Sequence, residues 1–125
     1  MKKLMLTLLA SLVLTGSALA DWEKVAESDN FDRYIDPATI RKDGNLVKVW
    51  EITDYKKRDK DGHLSLRSRT EYDCKQERFR GLSISFHSGP MASSTTLSSW
   101  EGPFTWREIP PGTVSEEVLK IICAK

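Results

Sequence analysis

The sequence predicts an α+β fold, with one antiparallel β-sheet of about six strands, one C-terminal helix packed on it, and one disulfide. Three observations carry this. Between Trp22 and Ile109, short extended runs are punctuated by Asp-Asn, Asp-Gly, Gly-Pro and Pro-Pro-Gly signals. From Thr113 onward the apolar residues switch to helical spacing. The chain has two cysteines, Cys74 at the end of a long extended run and Cys123 in the helix.

The fold is expected to start after residue 20. Lys2 and Lys3 precede an eleven-residue apolar run, Leu4 to Leu14, which is too short to span a bilayer. Ala18-Leu19-Ala20 then supplies a small-x-small cleavage site, so Asp21 is the expected new N-terminus. Residues 1–20 read as a secretory signal peptide and 21–125 as a single domain. No cysteine stands at the cleavage site and no later run is apolar enough for a membrane helix. These features predict a periplasmic or secreted protein without a lipid anchor or transmembrane segment. Two cysteines in an exported chain, 49 positions apart and without a CxxC pattern, read as a Cys74–Cys123 disulfide rather than a metal or redox pair.

The elements follow in order. Trp22 to Ser28 alternates weakly and predicts an edge strand, turned at Asp29-Asn30. Phe31 to Ile35 is a short strand ended by Asp36-Pro37, since proline cannot donate to a ladder. Thr39 to Arg41 leads to a turn at Asp43-Gly44-Asn45, with the Asp-Gly pair expected at its centre. Leu46 to Tyr55 has apolar residues on both faces, so it should be central and covered on both sides, by another sheet segment or another subunit. The charged stretch Lys56 to Gly62 is the connecting turn. Leu64 to Cys74 returns, with Leu64, Leu66, Ser68, Thr70, Tyr72 and Cys74 inward and Ser65, Arg67, Arg69, Glu71 and Asp73 toward solvent.

A turn at Lys75-Gln76 sets Cys74 opposite Glu77, Asp73 opposite Arg78, Tyr72 opposite Phe79 and Glu71 opposite Arg80. That register would push Leu82, Ile84 and Phe86 outward. One extra residue at Gly81 repairs it, bringing Leu82 opposite Thr70, Ile84 opposite Ser68 and Phe86 opposite Leu66. Gly89-Pro90 breaks this strand, and Ala92 to Trp100 and Trp106 to Ile109 are further short extended runs. In the helix, Thr113 caps and Glu116 stands three residues later, a capping box. Val114, Val118, Ile121 and Ile122 form its apolar stripe, with Cys123 beside it.

Chemistry-bearing motifs are sparse. Asp59, Asp61 and His63 suggest a metal loop, but the later ligands of an EF-hand are missing, so the segment reads as a hairpin turn. His87 and Ser88 are adjacent in a strand and point to opposite faces, and no GxSxG elbow is present. Glu51, on a mostly apolar strand face, is a candidate buried acid. No pattern calls for catalytic residues, a metal or a cofactor. The candidate binding surface is basic: Lys56, Lys57, Arg58 and Lys60 at the turn, and Arg67 and Arg69 on one strand face with no acid opposite. Loss of Lys2 and Lys3 leaves 17 basic and 18 acidic residues, and this balance gives no general push toward nucleic acid.

Several blocks together resemble the surface-adhesin E-like family of small exported bacterial proteins. They are Tyr34-Ile35-Asp36 with Thr39-Ile40, Val47-Lys48-Val49-Trp50, Asp54-Tyr55-Lys56, Glu71-Tyr72-Asp73-Cys74, His87-Ser88-Gly89-Pro90-Met91, and Trp106 through Ile109-Pro110-Pro111-Gly112-Thr113 to Cys123. After Met91 this chain has Ala92-Ser93-Ser94 where the family more often has glycines. The resemblance implies a sheet and helix locked by the Cys74–Cys123 disulfide, and a non-enzymatic, adhesin-like role. It implies binding of host extracellular-matrix or serum proteins and the ability to form a homodimer. The alternative is a soluble periplasmic accessory or inhibitor protein with an envelope partner.

Overall fold

The computed structural model describes residues 21–125. The expected signal peptide, with Ala20 at its cleavage point, lies outside the described residues.

Eight strands form one antiparallel sheet: β1 (Glu23–Glu27), β2 (Phe31–Ile35), β3 (Arg41–Asp43), β4 (Leu46–Tyr55), β5 (Ser65–Asp73), β6 (Arg78–His87), β7 (Thr96–Glu101) and β8 (Arg107–Glu108). The main order is β1-β2-β4-β5-β6-β7, with β3 pairing β4 and β8 pairing β6. The helix, α1 (Val114–Ala124), follows. The expected α+β architecture is therefore present, with two short strands added at the sheet margin.

The β4–β5 pairing runs from Leu46↔Asp73 to Asp54↔Ser65 without a shift. It places Val47, Val49, Glu51 and Thr53 on the same face as Tyr72, Thr70, Ser68 and Leu66. The helix lies over one half of that face. Val118, Leu119 and Ile122 join Ile35, Val47, Val49, Tyr72 and Ile109 in the core, with Val114 and Ile121 only partly buried. The stripe is thus rotated toward Leu119, a residue the spacing argument did not select. Thr113 Oγ1 accepts from the Glu116 N–H at 3.2 Å, while Glu116 reaches back to the Gly112 N–H at 2.9 Å, one residue earlier than a standard capping box. Thr113→Ala is expected to lower stability by about 1 kcal/mol, read as a melting temperature roughly 5 °C lower.

Cys74 and Cys123 are bonded, with Cα atoms 5.9 Å apart. The bond ties the end of β5 to the last turn of α1.

Four local expectations need correction. Gly44 and Asn45, not Asp43 and Gly44, are the central residues of the β3–β4 turn, because Asp43 pairs with Leu46. Only Gly44 there has positive φ, 64°, as a glycine-first turn requires. The β5–β6 loop spans Cys74–Glu77, since pairing stops at Asp73↔Arg78. It is closed by Asp73 Oδ1, which accepts from the N–H groups of Lys75 and Gln76. The bulge in β6 falls one residue later than expected. Gly81 faces Thr70 and Leu82 is the extra residue, after which Ile84↔Ser68 and Phe86↔Leu66 follow as anticipated.

Finally, Ser65, Glu71 and Asp73 are buried, not solvent-facing. A loop covers the first and arginines cover the others. The Pro90–Ala92 turn lies against β4 and β5. Met91 N donates to Asp54 Oδ1, Ala92 N to Ser65 Oγ, and Ser65 Oγ to the Gly89 carbonyl. The second cover on β4 thus comes from the chain's own loop.

Candidate functional site

Two surfaces of the sheet hold the side chains with chemistry. The first is the half of the helix-side face that α1 leaves open. It is a cavity of about 360 Å³ with Leu66, Phe79, Ile84 and Phe104 among its walls, and Arg33, Glu51 and Tyr72 also line it. Its volume is in the range of small-molecule pockets. Glu51, 2% exposed, is held by Arg33 Nη1 at 3.1 Å and by the Tyr72 hydroxyl at 2.6 Å. Arg33 Nε is buried without a hydrogen-bond partner among the described residues. The Arg33 and Glu51 charges offset one another, and Arg107 adds a further cation to the lining.

Burial, then the neighbouring Glu51 carboxylate, pushes the Tyr72 phenol well above its ordinary range. The folded state therefore holds that proton more tightly than the unfolded chain. The resulting stability is fully present below the unfolded tyrosine pKa, about 10, and is lost as pH rises beyond it. Tyr72→Phe should flatten the fall in stability above about pH 10, measured as denaturation midpoint against pH. An unchanged alkaline slope would contradict this assignment.

The opposite, outer face carries the basic residues. Register places Lys48, Trp50 and Ile52 of β4 beside Glu71, Arg69 and Arg67 of β5. Arg78 and Arg80 of β6 pair with Asp73 at 3.1 Å and Glu71 at 2.8 Å, and both guanidinium groups lie over the Trp106 ring. The Gln76 N–H, followed by burial acting in the opposite direction and then Arg78, leaves the Asp73 carboxyl below its usual range. Arg67 stacks over Trp50, 4.9 Å from the ring centre, at a small cleft also lined by Trp22, Asp36 and Thr39.

The sequence-selected basic residues are not one cluster. Lys56 is 3.8 Å from Asp32 Oδ1, an ion pair too long for a hydrogen bond. Arg58 donates to the carbonyls of Gly62 and Ser88, closing its own turn against the β6 end. Lys57 and Lys60, at the turn, are exposed. Arg67 and Arg69 stand apart from that turn, in the body of β5.

The remaining candidates have structural partners. Asp59, Asp61 and His63 bring ligand atoms within 4.8 Å of one another. However, Asp59 Oδ1 already accepts from the N–H groups of Asp61 and His63, and Asp59 Oδ2 is 3.0 Å from His63 Nδ1. His63 stacks on Phe86. His87 contacts Ser85 at 2.8 Å and Thr96 at 3.3 Å, not Ser88. Burial, then Arg67, lowers its pKa. Ser85 lies within β6, and Thr96 stands where a catalytic triad has its acid.

The model of the family described as surface-adhesin protein E matches residues 22–124. The chain belongs to the surface-adhesin protein E family. Its fold is similar to solved structures of Haemophilus influenzae protein E. Crystal form II has a TM-score of 0.62 and 15% identity, covering 90% of this chain and 97% of that one. The selenomethionine form also has 0.62 and 15%, covering 90% and 93%. At that identity the likeness is one of fold. No curated protein matches the chain by sequence. Within the described residues of this surface-adhesin E protein, no helix is long and apolar enough to cross a membrane.

Sequence reasoning singled out Glu51 as a buried acid but missed its partners. The signal was there: Glu51 and Tyr72 share the inward parity of their strands, and a buried carboxylate requires a cation or donors. Arg33 is the inward-facing cation of β2, directly opposite Thr53.

Proposed function

We propose that this protein is an exported, non-enzymatic module of a bacterial envelope that binds other proteins in an adhesin-like manner. Host extracellular-matrix or serum proteins are the partner class. The observation that carries this reading is the family match over residues 22–124. Exposed Leu97 and Trp100 on the edge strand β7 support a further element of it, self-association into a homodimer. Sedimentation at rising concentration tests that element, and a strict monomer would remove it.

Cell fractionation tests the main reading. Expressed with its own leader, the protein is expected at the surface or in the medium, with its N-terminus at Asp21 by mass spectrometry. Retention only as soluble periplasmic protein would remove the adhesin role. It would leave the second reading, an accessory or inhibitor with an envelope partner, which the lack of a cysteine at the Ala20–Asp21 junction favours.

A further inference from the structure

The outer face of the sheet divides its cations into two groups. Arg78 and Arg80 have acids at 3.1 and 2.8 Å. Arg41 donates to the carbonyls of Ala38 and Ile40. By contrast, among the described residues no acid lies within 4 Å of Lys48, Arg67 or Arg69. Glu71, directly across from Lys48, is already engaged by Arg80. Asp36, at the cleft beside Arg67, accepts from the Ala38 N–H. Glu101 lies two strands from Arg69, beyond Ser83.

These three side chains are also ordered by the sheet. Arg67 and Arg69 stand at alternate positions of β5, so their stems leave the same face about 6.8 Å apart. Stacking on Trp50 restrains Arg67 before any partner arrives, which lowers the entropy lost on binding. Lys48 extends the positive strip along the neighbouring strand. An extended polypeptide presents its own alternate side chains at the same spacing. Carboxylates two residues apart therefore match the two guanidinium groups, each of which can receive a carboxylate in a bidentate pair.

We infer that the outer face around Lys48, Arg67 and Arg69 is a docking surface for an extended acidic segment of a partner protein, with acids at alternate positions. This rests on the protein-binding reading above and names the partner chemistry and the residues. The hairpin tip at Lys57 and Lys60 is not part of it.

The test uses the purified protein and a fluorescent ten-residue peptide alternating glutamate and threonine, followed by anisotropy. Saturable binding is expected, weakening as salt rises. Arg67→Gln with Arg69→Gln should weaken it about tenfold or more, as loss of close charge pairs does. Arg69→Gln alone, which leaves the Arg67–Trp50 stack intact, should give part of that loss. Lys57→Gln with Lys60→Gln should leave affinity within about twofold, since exposed tip charges contribute little. Arg67→Glu with Arg69→Glu should instead favour a peptide alternating lysine and threonine.

Native affinity in the double glutamine variant would overturn the assignment. So would tighter binding of a sulfated oligosaccharide of equal charge, which would point to a glycan. If matrix or serum proteins still bind while the arginine variants behave as native, only this surface is wrong. If nothing binds, the protein-binding reading fails with it.

Discussion

Glu51→Gln is expected to destabilise the fold by about 3–5 kcal/mol, the usual cost of removing one member of a buried ion pair. Glu51 is nearly inaccessible, and the Arg33 side chain is 15% exposed. With the carboxylate replaced by an amide, the guanidinium stays charged without its counter-ion, only one of the two oxygens that serve Arg33 and Tyr72 remains an acceptor, and Arg33 Nε already lacks a partner. The Tyr72 hydroxyl also loses its charge-assisted bond. Total stability of a domain this size is about 5–15 kcal/mol, so the loss would be a large share. Denaturant midpoints provide the reading. The double variant Arg33→Met with Glu51→Met should be more stable than Glu51→Gln alone, because neither charge is then left unpaired. A Glu51→Gln protein within about 0.5 kcal/mol of native, typical of a surface change, would show that the pair is solvated in solution.

Opening the Cys74–Cys123 bond should have a comparable effect. The bond closes a loop of 49 positions, for which chain entropy gives about 4 kcal/mol. The core it supports is small, with eight buried apolar residues among the described residues. Cys74→Ala with Cys123→Ala should therefore melt roughly 15 °C or more below native. Reductant should lower the native protein toward the same value and leave the double variant unmoved. Equal melting temperatures for native and variant protein would mean that α1 is held by packing alone. Cys123 sits one residue after Ile122, a core residue of α1, so the loss should appear first as release of the helix from the sheet.

The fold was legible wherever pattern and turn chemistry agreed. β2 and β4 begin and end as their alternation and flanking Asp-Pro and Asp-Gly signals indicate. The disulfide followed from the cysteine count and the expectation of export. What stayed hidden depended on contacts between distant segments. Ser65, Glu71 and Asp73 have polar side chains in outward positions, which reads as solvent. They are buried because the Gly89–Ala92 loop folds back onto β5 and because arginines from β6 lie over the acids. Met91 and Ala92 in that loop, and Ser94 just after it, have positive φ, at 52°, 59° and 65°. Such conformations favour glycine. The shared outer face of Arg67 and Arg69, the residues of the proposed docking surface, was readable from strand parity and the lack of opposing acids. The inner cavity was not, because it exists only where α1 stops short of covering β5 and β6.

The central claim, a surface-adhesin E protein that binds other proteins, is tested most directly by immobilising it and passing a panel of extracellular-matrix and serum proteins over it at two salt concentrations. The account predicts saturable binding of at least one of them, weakened at the higher salt. Responses that never saturate, or no retention of any protein above that of a blank surface, would contradict it.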